Sequence, residues 1–398
     1  MDITIHPRKL HGRLTAIPSK SQAHRLLICA AFADRPTVLC CPETNRDIQA
    51  TADCLQALGA DIARTADGYI IEPIQTLPAQ AELNCCESGS TLRFLLPIAG
   101  ALGVDTIFRM EGRLPQRPLS PLWEEMARMG CTLTRPTADT IRCTGQLRSG
   151  DYSIDGGISS QFITGLLYAL SLIPGGGRLT ITGKAESRPY IEMTRRAMAA
   201  FGVSTEHNIL TGADRYISPG CMTVEGDWSN GAFFLAARAL GSDLQIENLD
   251  PASPQGDRVA ADLLPGLREK ITADAADIPD LVPVLAVAAA ANRGAVFTSI
   301  GRLRIKESDR VASTVAMLEA LGGKAHVDGD ILYVEGTGLT GGTVDAQNDH
   351  RIAMAAAIAA TVCTAPVTIL GAQCVAKSYP AFWDEYIRLG GHYEQHIR

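Results

Sequence analysis

Ser88-Gly89-Ser90-Thr91-Leu92-Arg93 opens a stretch rich in leucine and alanine, and openings of the same kind recur along the chain. Comparable stretches follow Ser19-Lys20-Ser21, Ser159-Ser160-Gln161, Asp227-Trp228-Ser229-Asn230, Asp277-Ile278-Pro279-Asp280 and Asn348-Asp349-His350. Ser, Asp and Asn accept hydrogen bonds from the free N–H groups of a first helical turn, so each cluster reads as an N-cap. Taking positions 21, 88, 159, 229, 280 and 349, the spacings are 67, 71, 70, 51 and 69. A second series agrees. Amphipathic helices are expected to end at Leu58-Gly59, Met129-Gly130, Phe201-Gly202, Leu321-Gly322 and Leu389-Gly390, because glycine is favoured just past a helix C-terminus. Those glycines lie 71, 72, 120 and 68 residues apart, and the gap of 120 holds two units, one of them shortened near Gln255–Ile271. Strand-like runs such as Gly68–Glu72, Arg178–Thr182 and Ile331–Glu335 lie between the helices. The chain therefore reads as six copies of a unit of about 70 residues, each with an apolar central helix, an amphipathic outer helix and several strands.

A chain of 398 residues suits two domains better than one core. Apolar residues make up 46% and charged residues 20%, an ordinary globular profile. The net charge of −7 argues against broad nucleic-acid binding, so any anion needs a local cluster of cations. The apolar runs Leu281–Ala291 and Ile352–Cys363 are too short to span a bilayer and read as buried helices. Eleven cysteines, an odd number without Cys-x-x-Cys, predict reduced and mostly buried thiols in a cytoplasmic protein. No basic and apolar leader follows Met1-Asp2-Ile3-Thr4, so no secretion signal is expected.

The caps carry more charge than capping needs. Lys20, Arg25, Arg93 and Arg351 sit at or near helix starts, where cations oppose the helix dipole. Anion binding resolves the conflict, since free N–H groups and a lysine or arginine hold an anion together. Arg302-Leu303-Arg304-Ile305-Lys306-Glu307-Ser308-Asp309-Arg310 and Arg113-Leu114-Pro115-Gln116-Arg117-Pro118 add cations, although each alone reads as a solvated charged face.

Together these motifs resemble the 5-enolpyruvylshikimate-3-phosphate (EPSP) synthase family. The resemblance rests on Ser19-Lys20-Ser21-x-x-x-Arg25, Ser88-Gly89-Ser90-x-x-Arg93, Arg113…Arg117-Pro118, Ser159-Ser160-Gln161, Ser187-Arg188-Pro189-Tyr190, Ile278-Pro279-Asp280, Lys306-Glu307-Ser308-Asp309-Arg310, Asn348-Asp349-His350-Arg351 and Cys374-Val375-Ala376-Lys377, in order from Lys20 to Lys377. It implies a mixed α/β fold of two domains, each with three βαβαββ units around buried central helices in an inside-out barrel. One domain is expected to be discontinuous, residues 1–17 with 227–398, and the other, 18–226, inserted into it. The active site would lie in the cleft between them, with the two crossings acting as hinges. The implied activity is transfer of the enolpyruvyl group of phosphoenolpyruvate to the 5-hydroxyl of shikimate 3-phosphate, in aromatic amino-acid biosynthesis. Neither a cofactor nor a metal is implied, and a monomer is expected.

Carried over by motif, Lys20, Ser21, Arg25, Ser159, Ser160, Gln161, Ser187, Asp280 and Lys306 would bind shikimate 3-phosphate. Lys20, Gly89, Arg117, Gln161, Arg310, Arg351 and Lys377 would bind phosphoenolpyruvate. Each substrate bears a carboxylate and a phosphate, which explains the cations and the preference for forked guanidinium groups. Asp280 is the expected base on the hydroxyl, and Glu307 and Lys20 are the candidates for moving the methylene proton. Gly89 would leave room for glyphosate beside phosphoenolpyruvate. Departures from the family pattern are Glu87 and Arg302, each where an asparagine is common, a missing glycine at Pro18-Ser19, and the short fourth unit. Alternatives are a UDP-N-acetylglucosamine enolpyruvyl transferase, or a non-catalytic ligand-binding protein of the same fold. Gly336-Thr337-Gly338-Leu339-Thr340-Gly341 fits a dinucleotide pattern, but a strand is expected to follow, so it reads as a hairpin. His392 and His396 have helical spacing and read as solvated rather than as metal ligands.

Overall fold

Serine oxygens start the inner helices of the unit formed by Pro18–Val224. The side chains of Ser19, Ser88 and Ser159 accept from the N–H groups of Gln22, Thr91 and Gln161 and open the helices Lys20–Ala31, Gly89–Leu102 and Ser160–Leu172. These helices are apolar on nearly every side and lie in the core. A Cβ at Gly165 would sit 2.2 Å from the Arg93 carbonyl oxygen, so a glycine there lets two inner helices meet backbone to backbone. The structure, a computed structural model, describes residues 1–212 and 215–396. Ala213, Asp214, Ile397 and Arg398, which fall within the expected domains, lie outside the described residues.

A parallel strand pair brackets the Gly89–Leu102 and Ser160–Leu172 helices in the sequence, because a parallel pair needs a crossover that a hairpin cannot supply. Gln80–Asn84 and Asp105–Arg109 pair in parallel across the Gly89 helix, and the antiparallel strands Thr140–Gly145 and Cys131–Thr134 complete their sheet. The outer helix Leu122–Arg128 lies between its second and third strands in the sequence, giving βαβαββ. In the first sheet of this unit the order is the same, but the strand parallel to Thr37–Cys40 is Cys221–Thr223, from the unit's far end. The third sheet holds Gly150–Asp155, Gly177–Thr182 and the short Ile209–Leu210.

The second unit comprises Met1–Ile17 and Glu225–Arg398. Its inner helices are Trp228–Ala239, Val282–Ala290 and His350–Ala359. Ile271–Asp274, Gly294–Thr298, Ile331–Glu335 and Lys324–Asp328 repeat the four-stranded pattern. A second four-stranded sheet takes its strand Asp2–Ile5 from the N-terminus, between Val367–Leu370 and Tyr393–His396. The shortened fourth unit keeps one parallel pair, His11–Thr15 with Asp243–Glu247. Its short helix Ala260–Gly266 then leads straight to Ile271–Asp274, so the chain has no room for a hairpin there. The six repeats share a plan without being equal.

Each predicted terminal glycine follows its helix with a positive φ, between +80° at Gly202 and +120° at Gly130, where a side chain would strain the backbone. Three expectations need correction. Asp280 does not cap Val282–Ala290, whose N-cap position is Leu281 without a side-chain bond; its carboxylate is held by arginine instead. Gly336–Gly341 is not a hairpin, because Ile331–Glu335 and Gly342–Asp345 belong to different sheets. His392 and His396 are not on a helix. His396 ends a strand, where its Nε2 lies 2.7 Å from Thr4 Oγ1; alternate strand positions also recur every four residues.

Candidate active-site clusters

The predicted site residues divide between the two units. In Pro18–Val224 the helix starts bring several of them together. Lys20 Nζ lies 2.9 Å from Asp47 Oδ2. Gln161 joins two helix starts, accepting from Arg93 Nη1 at 2.8 Å and donating from Nε2 to Ser90 Oγ at 3.0 Å. The open side of Gly89 faces arginine, since a Cβ there would lie 2.6 Å from Arg117 Nη1 and 3.0 Å from Arg93 Nη1. Ser159 spends its oxygen on the cap, and Ser160 is buried behind it. Ser187 is buried in a left-handed conformation, φ 52°, at the start of Arg188–Ala200.

Arg25 acts as a bracket. Its Nε donates to Thr194 Oγ1 at 2.9 Å, Nη1 to the Ser21 carbonyl at 2.6 Å and Nη2 to the Tyr190 carbonyl at 2.9 Å. Its guanidinium also stands 5.1 Å from the Phe94 ring centre. A buried relay reaches the start of the Gly89–Leu102 helix. His24 Nδ1 bonds Thr51 Oγ1, Thr51 Oγ1 bonds Thr91 Oγ1, and Thr91 Oγ1 donates to Ser88 Oγ, each at 2.7 Å.

The other unit gathers charge around Arg310, which is only 1% exposed. Its Nη1 donates to Asp280 Oδ1 at 2.5 Å, Nη2 to Glu307 Oε2 at 2.6 Å, and Nε to Asp349 Oδ2 at 2.8 Å. Asp280 also lies 3.5 Å from Lys306 Nζ and 3.5 Å from Arg351 Nη2. Arg351 Nη1 donates to the Ser229 carbonyl at 2.9 Å, and Lys377 Nζ to the Asn348 carbonyl at 2.8 Å. Asp349 caps its helix through the Arg351 N–H and accepts from Ser308.

Electrostatics follow from that packing. Burial is the largest influence on the Asp349 carboxyl and raises it, but Arg310 and then His350 pull the other way and together hold the group below the usual carboxylate range. Burial pushes the Lys306 ammonium down to about 8, with Asp280 opposing. Asp257 is pushed up to about 7, first by burial and then by the nearby Asp280 charge. Ser229 donates to its carboxylate. Asp257, Asp47, Thr51 and Arg93 are absent from the predicted site. Arg93 had a signal in the Ser88 motif, and Asp257 lies in the shortened stretch whose function the repeat left open.

The arrangement offers clustered cations for doubly charged anions and carboxylates that can exchange protons. The family model for EPSP synthase (3-phosphoshikimate 1-carboxyvinyltransferase) matches residues 5–386. A 3-phosphoshikimate 1-carboxyvinyltransferase of Clostridium kluyveri is 36% identical over 419 residues, covering 99% of this chain and 98% of that protein. One from Clostridium perfringens strain 13 is 37% identical over 418 residues, covering 98% of each. Among solved structures, EPSP synthase from Acinetobacter baumannii aligns with a TM-score of 0.76 at 23% identity, covering 99% of this chain and 100% of that one. The enolpyruvyl transferase NikO from Streptomyces tendae aligns with a TM-score of 0.76 at 19% identity, covering 100% and 99%. At such identities these two similarities speak for the fold alone.

Proposed function

Because this chain belongs to the EPSP synthase family, we propose that it transfers the enolpyruvyl group of phosphoenolpyruvate to the 5-hydroxyl of shikimate 3-phosphate and releases phosphate. Each unit supplies one set of anion-holding groups, and the protein works as a cytoplasmic monomer. Its eleven free cysteines support a reducing compartment. The observation that carries the reading is the Asp280 carboxylate among Lys306, Arg310 and Arg351, with Glu307 on the same Arg310.

The chemistry assigns roles to these groups. Lys20, Ser21, Arg25, Ser159, Ser160, Gln161, Ser187 and Lys306 hold shikimate 3-phosphate, while Lys20, Gly89, Arg117, Gln161, Arg310, Arg351 and Lys377 hold phosphoenolpyruvate. Without substrate, protein carboxylates occupy the cations. Arriving phosphate and carboxylate groups take over those contacts and leave Asp280 able to accept the hydroxyl proton. Protonation of the methylene carbon, through Glu307 or Lys20, makes the neighbouring carbon electrophilic. The hydroxyl oxygen bonds to that carbon; the new methyl group then returns a proton to Glu307 or Lys20 as phosphate departs from the tetrahedral intermediate and the double bond re-forms.

Purified protein mixed with phosphoenolpyruvate and shikimate 3-phosphate is expected to release phosphate. Release only with UDP-N-acetylglucosamine would overturn the acceptor, and release with neither would favour a binding protein.

Two further results are expected. Gly89→Ala puts a methyl group against Arg117 and should raise the KM for phosphoenolpyruvate about tenfold, ~1.4 kcal/mol of binding. Initial rates at varied phosphoenolpyruvate check this, and an unchanged KM would remove Gly89 from the site. Lys306 binds its anion only when protonated, and its pKa lies at about 8. The KM for shikimate 3-phosphate should therefore be flat below pH 8 and rise above it, approaching about tenfold per pH unit. Lys306→Arg should abolish that rise, because guanidinium stays charged throughout.

A further inference from the structure

The eleven thiols differ in what can reach them. Cys29, Cys41, Cys54, Cys85, Cys131, Cys143, Cys363 and Cys374 are buried, Cys40 and Cys86 are half-buried, and Cys221 is exposed. Cys221 begins the strand Cys221–Thr223, which pairs in parallel with Thr37–Cys40, placing Cys221 opposite Val38 and Thr223 opposite Cys40. Alternate residues of a strand share a face, so Val38, Cys40 and Cys221 stand on one side of the sheet, where Val38 is 43% exposed. The two sulfurs are 3.8 Å apart and unbonded. Diagonal partners of a ladder stand ~7–8 Å apart, at or beyond the Cα separation a disulfide accepts, so closing to the ~2.05 Å of a disulfide needs the backbone of one chain to move. Gly220 gives it room, since it precedes Cys221 with φ +84° and nothing lies within 4 Å of where its Cβ would stand.

We propose that Cys40 and Cys221 form a redox-modification site, an exposed dithiol that low-molecular-weight disulfides convert to an intramolecular disulfide. Cys221 is exposed and Cys40 half-buried, so a small disulfide reagent reaches both, and attack by either sulfur leads to the same product. With Cys40 as the attacker, its thiolate displaces one thiolate from the disulfide reagent and forms a mixed disulfide. Cys221 then loses its proton and attacks the Cys40 sulfur, expelling the second thiolate. Two protein thiols are oxidised by two electrons, and the reagent is reduced to two thiols. Cys131 and Cys143 also neighbour each other, but both are buried from such a reagent.

The bond would join residues 181 apart and tie the last strand of Pro18–Val224 to the strand after its first helix. A crosslink across so long a segment restricts the unfolded chain strongly. Oxidation therefore locks the unit that carries Lys20, Gly89 and Arg117.

The test uses the full chain, reduced, freed of reductant and incubated with oxidised glutathione. Digestion without reductant followed by mass spectrometry should yield the Cys40 and Cys221 peptides linked and lighter by two hydrogens. The oxidised protein should unfold at a temperature several degrees higher, roughly 2–4 °C or more, and dithiothreitol should reverse both changes. Cys221→Ser should stop at glutathione on Cys40, with no crosslink and no thermal shift. Separate glutathione adducts on Cys40 and Cys221 in the unsubstituted protein would overturn the proposal. So would a link between Cys131 and Cys143 in its place, or two unreacted thiols.

Discussion

Asp280→Asn is expected to lower kcat by about 10²–10⁴, the range contributed by a positioned general base, while the protein stays folded. Asparagine nearly preserves the shape and keeps an oxygen to accept from Arg310 Nη1, which lies 2.5 Å from Asp280 Oδ1. Arg310 also retains Glu307 and Asp349. What disappears is the ability to take a proton from the attacking hydroxyl. Substrate binding should suffer less than turnover, because Lys306, Arg310 and Arg351 remain charged and lose a competitor for the incoming anions. The expected pattern is a large fall in kcat with a KM for each substrate within a fewfold of the original. Steady-state phosphate release gives both numbers, and circular dichroism reports the fold. A kcat within twofold of the unsubstituted enzyme would remove Asp280 from proton transfer and leave it only a partner for buried cations.

Local signals gave the repeat, and distant pairings stayed hidden. Caps and terminal glycines act within one helical turn, so Ser19, Ser88, Ser159, Asp227 and Asp349 were legible from their neighbours alone. Asp280 looked like another cap, but its carboxylate is taken up in ion pairing with cations far along the chain. Asp2–Ile5 pairs with Val367–Leu370 and Tyr393–His396 near the other end of the chain, and Thr37–Cys40 takes one of its two partners from the distant Cys221–Thr223, and no local pattern encodes those choices. Burial misled the reading of Arg302–Arg310. Alternating charge resembles a solvated face, yet Arg310 is buried on three carboxylates, and nothing local says which charge turns inward. Asp257 left no trace for the same reason. It is flanked by Gly256 and Arg258 in a stretch that reads as a loop, and only packing reveals a carboxyl pushed up to about 7, first by burial.

Arg310→Met should cost about 3–5 kcal/mol of stability, the usual effect of removing one partner from a buried ionic cluster. Methionine fills much of the space but leaves Asp349, fully buried, without the cation that holds it ionised. Asp280 keeps Lys306 and Arg351 nearby, and so is the less affected carboxylate. The loss should depend on pH in a defined direction. With Arg310 present, Asp349 sits below its unfolded value, so its contribution is complete above pH ~4 and is lost only as pH falls through the lower folded value. Without Arg310, burial prevails and the folded value moves above the unfolded one. The folded variant then holds an extra proton above pH ~4, and its stability falls as pH rises towards neutrality. Denaturant unfolding of the two proteins should diverge from pH 5 to pH 8 and converge in acid. Asp349→Asn added to Arg310→Met should recover part of the deficit at pH 8, because the orphaned charge is gone, and the two changes should be strongly non-additive. A deficit below about 1 kcal/mol, or one that stays constant with pH, would mean that Asp349 does not depend on Arg310 for its charge.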